Sequence, residues 1–287
     1  MTTGIIGFCR FSFFGRSDTK LSYEDREAAF ATLYDPARME TRFVLFENLL
    51  LKAIAGQSNK SFMLHVMTSD VMPAPYKARL RALCGKQPNI RLHLCKSEDL
   101  AAEIAPILTG VAARHDKIVQ FRIDDDDALS VHFIKRLHRW AKVVEGETLI
   151  TLPKGLMLFD EDGTPKIQPF FRNLTGAGFA YVTEGAPRKN VFQFAHIASG
   201  RRYPAMADPT LYSHIQTFTS STDTHVRAHR RIAQYRKQMS EGNSPAKLAE
   251  MTDAALAKDF PYVTLDGLLD LQALANAPQT AAALAAE

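Results

Sequence analysis

One segment of the sequence, an apolar strand that runs directly into four aspartates, most constrains how this chain can fold. Residues 117–123 are largely apolar and β-branched, as in a buried strand, and Asp124–Asp127 follow without a break. Carboxylates about 5 Å apart repel by about 3 kcal/mol per pair at an effective dielectric of about 20, so a buried run needs a counter-charge. A divalent cation with oxygen ligands would provide it. The alternative is an acidic turn that caps the next helix, with Asp127 or Ser130 as its N-cap.

The overall composition is that of an ordinary globular chain and limits function only weakly. The chain has 287 residues, of which 46% are hydrophobic and 23% charged, enough to bury a sizeable core. The net charge of +4 indicates no particular partner, and the three cysteines, which lack metal-ligand spacing, suit a reducing compartment. No apolar run approaches about 18 residues, and the N-terminus lacks a charged region and a cleavage site. We therefore expect a cytoplasmic protein without a transmembrane helix.

The first half of the chain alternates between strand and helix patterns, which is typical of a parallel sheet with helices on both faces. The predicted strands lie at residues 4–9, 61–68, 90–95 and 117–123. Ligands bind at the carboxyl ends of strands in such sheets, which is where the aspartates stand. We expect an irregular loop up to about residue 35 and a helix that Pro106 kinks or ends. After residue 144 the pattern changes to short strands with long loops, and residues 241–287 predict two short helices with a disordered end.

Three blocks of the sequence together resemble a known family. The block Arg122-Ile-Asp-Asp-Asp-Asp-Ala-Leu129 resembles the Arg-x-Asp-x-Asp-Asp motif of GT-A glycosyltransferases. Blocks at Arg42–Gln57 and Thr68–Pro73 match, in order and spacing, the bacterial family described as putative rhamnosyltransferases. The resemblance covers roughly residues 5–235. It implies an α/β, GT-A-like fold, with a Rossmann-like nucleotide-binding half and a mixed sheet over residues 1–235, and a helical C-terminal extension over residues 236–287.

The resemblance implies transfer of a sugar from a nucleotide-diphosphate donor, with Mg²⁺ or Mn²⁺ held on the diphosphate by the aspartate run. It places the metal on Asp124 and Asp126, and Asp127 can equally supply an oxygen, because the residues of the run are identical. A late histidine or aspartate often completes the metal shell of GT-A enzymes. Asp223 and His225 are our candidates for that position.

The same resemblance indicates which residues contact the nucleotide sugar. Arg10 follows the first strand, Asp70 follows the second, and Arg122 and Asp124 end the strand before the run. Two of these have structural alternatives. Asp70 is a typical turn residue before Pro73, and Arg10 can pair with a carboxylate for stability alone.

The reaction needs a base if it inverts the sugar, because the acceptor hydroxyl must lose a proton. Glu184, after a strand predicted at 177–183, and Asp208, before a predicted helix, are the candidates. The resemblance also implies dTDP-rhamnose as the donor and a cell-surface glycan or its lipid-linked precursor as the acceptor. Nothing in the composition or spacing indicates either substrate.

Residues 227–237 are basic and contain no acid. They form a solvated helix face, neutralise the phosphates of the donor, or contact anionic lipid at the inner face of the membrane. They lack the interleaved aromatic residues of a single-strand nucleic-acid groove, and we expect no nucleic-acid partner. Two other functions stay open. One is a metal-dependent phosphodiester or pyrophosphate hydrolase that uses the same carboxylates, and the other is a non-enzymatic basic module that binds anionic lipid or nucleic acid.

Overall fold

In the computed structural model, which describes residues 1–15, 25–219 and 225–276, the chain forms two β-sheets with helices around them. The strands are β1 (Thr3–Arg10), β2 (Met63–Ser69), β3 (Ile90–Cys95), β4 (Lys117–Asp124), β5 (Ala128–Leu129), β6 (Thr148–Thr151), β7 (Lys154–Glu161), β8 (Thr164–Phe171), β9 (Ala180–Glu184), β10 (Ala205–Ala207) and β11 (His214–Thr217). The α-helices are α1 (Arg26–Leu33), α2 (Pro36–Leu45), α3 (Leu51–Ala55), α4 (Ala74–Gly85), α5 (Leu100–Ala112), α6 (Phe133–Ala141), α7 (His225–Ser240), α8 (Pro245–Asp259) and α9 (Leu265–Asn276). A π-helical turn (Phe46–Leu50) joins α2 to α3, and two 3₁₀ helices lie at Val191–Gln193 and His196–Arg201. No helix within the described ranges is long and apolar enough to cross a membrane.

The larger sheet has seven strands in the order β10-β6-β9-β4-β1-β2-β3. Strands β4, β1, β2 and β3 run parallel, whereas β9 runs antiparallel to its neighbours β4 and β6. The aspartate run therefore follows a central strand that lies next to the first strand of the chain. The predicted α/β fold, with a parallel half continued by a mixed sheet, is confirmed.

The order of the strands creates a switch point between β1 and β4 at the carboxyl edge of the parallel strands. From β1 the chain passes to β2 and β3 on one side, and it then returns to place β4 on the other side of β1. Arg10 and Asp124, the last residues of β1 and β4, are paired in register there. In open α/β sheets, ligands bind in the crevice outside such a point.

Successive side chains of β4 point to opposite faces of the sheet and pack in two different hydrophobic layers. Val119, Phe121 and Ile123 pack in the larger layer, which also contains the buried residues of α2, α3 and α6. Ile118 packs on the other face, with the buried residues of α5 and with Phe179. The strand ends at Asp124, and the chain then turns, with the Asp127 N–H donating to the Asp124 carbonyl at 3.2 Å.

The smaller sheet, in the order β5-β11-β7-β8, continues directly from the aspartate run. Strand β5 starts after Asp127 and pairs antiparallel with β11, which runs parallel to β7. Strands β7 and β8 form a hairpin around Asp162 and Gly163, at the predicted turn. The sequence does not predict β8, because Pro165 and Pro169 interrupt its pattern. They are tolerated because β8 is the edge strand of this sheet, where a missing N–H costs no ladder bond.

The C-terminal segment packs onto the smaller sheet and onto α2. Tyr262 donates its hydroxyl to the Leu129 carbonyl at 2.7 Å, and Gln272 Nε2 donates to the Phe218 carbonyl at 2.8 Å. The two predicted helices of the tail are therefore present as α8 and α9, and the predicted disordered end lies outside the described residues. The expected boundary between domains 1–235 and 236–287 falls inside α7, and this division stays a prediction.

Two local predictions are wrong, and a third is wrong in part. Helix α1 occupies part of the predicted irregular loop, because the Asp25 side chain caps its N-terminus. Pro106 does not end α5, in which Ile104 and Leu108 on either side of it are buried, whereas a kink at Pro106 stays a prediction. No helix follows Asp208, because the chain there runs through a loop into β11.

Replacing Leu268 by alanine tests whether α9 is part of the core. Leu268 is fully buried, so Leu268→Ala should lower the free energy of unfolding by roughly 2–5 kcal/mol. Leu274 in the same helix is 52% exposed, and Leu274→Ala should change that free energy by less than about 0.5 kcal/mol. Urea denaturation followed by circular dichroism measures both. Equally small effects would show that α9 does not pack as described.

Candidate functional site

The carboxyl edge of the larger sheet brings together Arg10, Arg122 and Asp124. Arg122 Nη2 donates to Asp124 Oδ1 at 2.9 Å. The Asp124 side chain is 29% exposed, whereas that of Arg122 is 2% exposed. Arg10 stands beside Asp124 in the register of β1 and β4. The edge therefore presents one partly exposed carboxylate against a buried guanidinium.

One aromatic ring, that of Phe192, contacts both arginines. The Arg122 guanidinium lies 4.7 Å from the centre of the Phe192 ring and the Arg10 guanidinium lies 5.8 Å from it. A cation within about 6 Å of a ring face is attracted by roughly 0.5–2 kcal/mol, depending on its exposure. Phe192 itself is held in a 3₁₀ helix by a capping box between Asn190 and Gln193. Two positioned guanidiniums of this kind suit an anionic group such as a phosphate.

His196 completes this side of the site, and sequence reasoning missed it. Its Nε2 lies 3.2 Å from Arg122 Nη1. A Cβ added at Gly176 would lie 3.6 Å from the His196 ring and 3.9 Å from Asp124 Oδ2, so Gly176 lies between the imidazole and the carboxylate. His196 has a φ of 34°, in the left-handed region that is costly for residues other than glycine and is concentrated at functional sites. No local pattern marks such a residue, because its contacts come from distant parts of the chain.

The second and third aspartates of the run bind Arg42 of α2, in the larger hydrophobic layer. Arg42 Nε donates to Asp125 Oδ2 at 3.1 Å, and Nη2 donates to Asp125 Oδ1. The remaining group, Nη1, donates to Asp126 Oδ2 at 2.6 Å. The three side chains are at most 9% exposed. Arg42 thereby supplies positive charge that the aspartate run was predicted to receive from a metal ion.

Arg42 and Asp125 form a buried ion pair. Burial raises the pKa of Asp125 to about 7, and the Arg42 guanidinium opposes this shift by lowering it. We take Asp125 as ionised in the pair, because both of its oxygens accept N–H groups of an arginine that keeps its proton. Removing one partner of a buried pair costs roughly 3–5 kcal/mol, because the other charge is left uncompensated. The pair therefore fixes the aspartate run against α2.

Asp127 joins the run to the smaller sheet. Its Oδ1 accepts the Thr217 N–H at 3.0 Å, and Thr217 Oγ1 donates to the Asp126 carbonyl at 2.8 Å. Burial and the charges of Asp126 and Asp124 raise the pKa of Asp127 well above its usual range, although the bond from Thr217 opposes this. Asp127 is only 2% exposed. Asp127 therefore has a structural role, as the acceptor that holds β11 to the aspartate run.

The aspartate run fits a metal only in part. The described residues contain no group of three or more histidine, cysteine, aspartate and glutamate side chains that could hold a metal ion. Three carboxylates of the run accept bonds from Arg42 or Thr217, and Asp124 is the partly exposed one. Mg²⁺ is commonly held by one or two carboxylates together with substrate phosphates and water, and the oxygens of Asp124 fit such a site. Of the expected set of Asp124, Asp126 and Asp127, the structure thus favours Asp124, and the roles of Asp126 and Asp127 as ligands stay predictions.

Asp70 lies at the end of β2, at the same edge of the sheet. Its side chain is 51% exposed, and Oδ1 lies 3.9 Å from Lys77 Nζ. Its N–H donates to the Cys95 carbonyl at 2.8 Å, so the backbone there continues the pairing of β2 with β3. A contact with the nucleotide stays a prediction for Asp70. Asp223 and the side chain of His225 lie outside the described residues, so their roles as metal ligands stay predictions as well.

Glu184 is wrong as a base for a sugar held at Asp124. Strand β9 runs antiparallel to β4, so Glu184 is paired with Lys117 at the start of β4, and its Oε1 lies 3.5 Å from Lys117 Nζ. Asp124 stands at the other end of that strand of eight residues. At about 3.3 Å per residue, the two ends are roughly 23 Å apart.

Asp208 is held in a set of hydrogen bonds between β10 and α6. Its carboxylate accepts from Trp140 Nε1 at 2.7 Å and from Thr210 Oγ1 at 2.5 Å, and Arg136 Nη1 lies 3.4 Å away. Burial raises the pKa of Asp208, but these hydrogen bonds outweigh burial and lower it from its usual value. A low pKa makes a weak base, so the contacts favour a structural role. Its part as a base stays a prediction.

The basic segment 227–237 lies within α7. Its Arg236 Nη1 is bonded to Glu161 Oε1 of β7. Tyr235 is 4% exposed and stacks on Phe170 of β8, with ring centres 5.1 Å apart. These two residues hold α7 to the β7–β8 hairpin. Contact of the remaining basic residues with a membrane stays a prediction.

Asp127→Asn tests the protonation state of Asp127. Asparagine keeps an oxygen for the Thr217 N–H but cannot ionise. In the wild-type protein the raised pKa of folded Asp127 contributes stability that is complete below about pH 4 and is lost as the pH rises, because the unfolded chain releases this proton first. The stability of the variant relative to wild type should therefore rise as the pH is raised from 4 to 8.

Thermal unfolding between pH 4 and 8 measures this difference. Asp124→Asn, which replaces a partly exposed carboxylate, is the matched control and should show no such gain. A variant at Asp127 whose stability relative to wild type does not rise with pH would contradict the raised pKa.

Three solved structures illustrate what the chain is similar to. Mannosyltransferase PcManGT from Pyrobaculum calidifontis, in complex with GDP-Man and Mn²⁺, is 13% identical, with a TM-score of 0.42 over 99% of this chain and 75% of that one. S. aureus TarS 1–349, in complex with UDP-GlcNAc, is 11% identical, with a TM-score of 0.37 over 76% and 59%. A putative nucleotide-diphospho-sugar transferase from Desulfovibrio desulfuricans G20 is 11% identical, with a TM-score of 0.35 over 90% and 98%. The chain thus matches less than two thirds of the length of the TarS fragment.

Comparison with curated protein sequences found no match. A family model described as "Putative rhamnosyl transferase" matches residues 4–231. That range is most of the chain, and it contains Arg10, Arg42, Arg122 and the aspartate run. By this match the chain belongs to the family of putative rhamnosyl transferases.

Proposed function

We propose that this protein transfers rhamnose from a nucleoside-diphosphate donor to a hydroxyl of a glycan or lipid-linked acceptor. The observation that supports this proposal is that Arg10, Arg122 and Asp124 lie together at the switch point between β1 and β4. This is where α/β sheets of this kind bind nucleotides, and the charges suit a diphosphate. Membership of the family supports rhamnose as the sugar, and dTDP-rhamnose is the donor that we expect.

In this proposal the two arginines bind the phosphates of the donor. Each guanidinium offers N–H groups in a planar fork that matches phosphate oxygens. Phe192 holds both of them, so they meet the diphosphate with little rearrangement. Asp124 would hold Mg²⁺ or Mn²⁺ together with phosphate oxygens. When bound, the cation offsets the negative charge that grows on the leaving diphosphate.

His196 positions Arg122 for this task. An arginine only donates hydrogen bonds, so in the contact between Arg122 Nη1 and His196 Nε2 the imidazole nitrogen is the acceptor. The two bonds of Arg122, to His196 and to Asp124, fix the plane of its guanidinium. His196 therefore acts on the orientation of the donor phosphates through Arg122, and its imidazole takes no part in the reaction itself.

Binding of a nucleoside diphosphate should require both a divalent cation and Asp124. Calorimetric titration with dTDP, UDP and GDP should show binding in Mg²⁺ or Mn²⁺, and a loss of at least about tenfold in chelator or in Asp124→Asn, which is about 1.4 kcal/mol. Asp253→Asn removes an exposed carboxylate of α8 and should bind like wild type. Equal binding with and without chelator would rule out the metal bridge.

The same titrations separate the rival functions. A basic module for lipid or nucleic acid would bind through residues 227–237, weaken steeply with salt, and ignore Asp124→Asn. A hydrolase would release free sugar from the donor at the same rate with and without a glycan acceptor. A transferase instead moves the sugar onto the acceptor and leaves only slow hydrolysis in its absence.

The preferred donor should carry a 6-deoxy sugar. We expect release of the nucleotide from dTDP-rhamnose to be at least about tenfold faster than from dTDP-glucose, UDP-glucose or GDP-mannose in the presence of Mn²⁺. A preference of this size is realistic, because an apolar pocket distinguishes one added hydroxyl by roughly 100-fold at most. A clear preference for a fully hydroxylated hexose would overturn rhamnose as the sugar while leaving sugar transfer intact.

A further inference from the structure

Arg42 occupies the place in the aspartate run where a metal would otherwise be expected. Three of its N–H groups bind Asp125 and Asp126, in the interior of the protein. We propose that Arg42 is a built-in counter-cation of the run, which confines a divalent cation to Asp124 and makes its binding depend on the donor. The inference rests on the proposed nucleoside-diphosphate site and identifies Arg42 as a positioning residue for it.

The surroundings of Arg42 prevent it from moving aside for a metal ion. Its helix α2 is capped by the side chain of Asp35, and Met39 and Phe43 of the same helix are fully buried. The guanidinium side chain is only 9% exposed. A cation that took Asp125 and Asp126 from it would leave an arginine charge buried without its carboxylates, which is a costly arrangement.

With Arg42 in place, Asp124 is the partly exposed carboxylate of the run, and its Oδ1 accepts from Arg122. Mg²⁺ and Mn²⁺ prefer octahedral sites with six oxygen ligands, and one carboxylate with water makes a weak site. The diphosphate of a donor supplies further oxygens at the same place. Metal and nucleotide should therefore bind interdependently, and each must strengthen the other by the same factor.

The test measures Mn²⁺ binding to the purified full chain by electron paramagnetic resonance, which reports free Mn²⁺ and needs no enzymatic turnover. In wild type, dTDP or UDP should tighten Mn²⁺ binding at least tenfold. Arg42→Met should instead tighten Mn²⁺ binding at least tenfold in the absence of any nucleotide, because Asp125 and Asp126 are released as ligands. Loss of an arginine would thus create a metal site, an outcome that loss of packing alone does not produce.

Two controls separate this effect from general disturbance. Arg79→Met breaks another arginine–carboxylate pair, with Glu40, and should leave Mn²⁺ binding as in wild type. The triple variant Arg42→Met/Asp125→Asn/Asp126→Asn removes both signs of charge together, so it does not leave a buried charge unpaired. It should not show the tighter nucleotide-free Mn²⁺ binding of Arg42→Met, and it should keep the nucleotide-dependent Mn²⁺ binding at Asp124.

If circular dichroism shows that Arg42→Met does not fold, the triple variant still tests the inference. Loss of nucleotide-dependent Mn²⁺ binding in the folded triple variant would overturn the inference, because the buried pair would then hold the metal itself. The inference would also be overturned if wild type bound Mn²⁺ tightly without nucleotide. The same holds if Arg42→Met folds but binds Mn²⁺ no more tightly than wild type. Failure of the proposed function looks different, since wild type would then bind no nucleoside diphosphate in any condition.

Discussion

The contact between Arg42 and two aspartates is the interaction on which the rest of this structure depends. Four adjacent carboxylates at the end of a buried strand cannot all ionise without compensation, and the fold provides it from a helix 83 residues earlier in the chain. Helix α2, the π-helical turn and α3 form one continuous element whose apolar face lies on the larger layer. The position of one guanidinium is therefore set by the packing of this whole element.

The residues of the aspartate run, identical in sequence, perform different tasks because they face different surroundings. Asp124 ends β4 on the side of Arg122 and Phe192. Asp125 and Asp126 bind Arg42, and Asp127 is bonded to the backbone of β11. The run thus connects the larger sheet, α2 and the smaller sheet within a few residues. Stability and binding must therefore be measured separately for variants of the run.

Sequence patterns predict the parallel half of the fold well, because its strands are local and apolar. Strand β3 has its predicted bounds, and β4 covers the strand predicted at 117–123. The tasks of the site residues depend on contacts between distant segments. His196 stands 74 residues from Arg122, and no periodicity relates the two. Glu184 was misassigned because a pattern does not reveal that β9 runs antiparallel, which places its end at the far edge of the sheet.

The prolines of β8 have a consequence for the behaviour of this protein in concentrated solution. An exposed edge strand offers a row of unpaired N–H and C=O groups to the strands of other molecules. Pro165 and Pro169 remove two of those N–H groups from the edge of the smaller sheet. Another chain therefore cannot extend the sheet there through a regular ladder of hydrogen bonds. The edge of the smaller sheet is therefore a poor template for self-association and fibre formation.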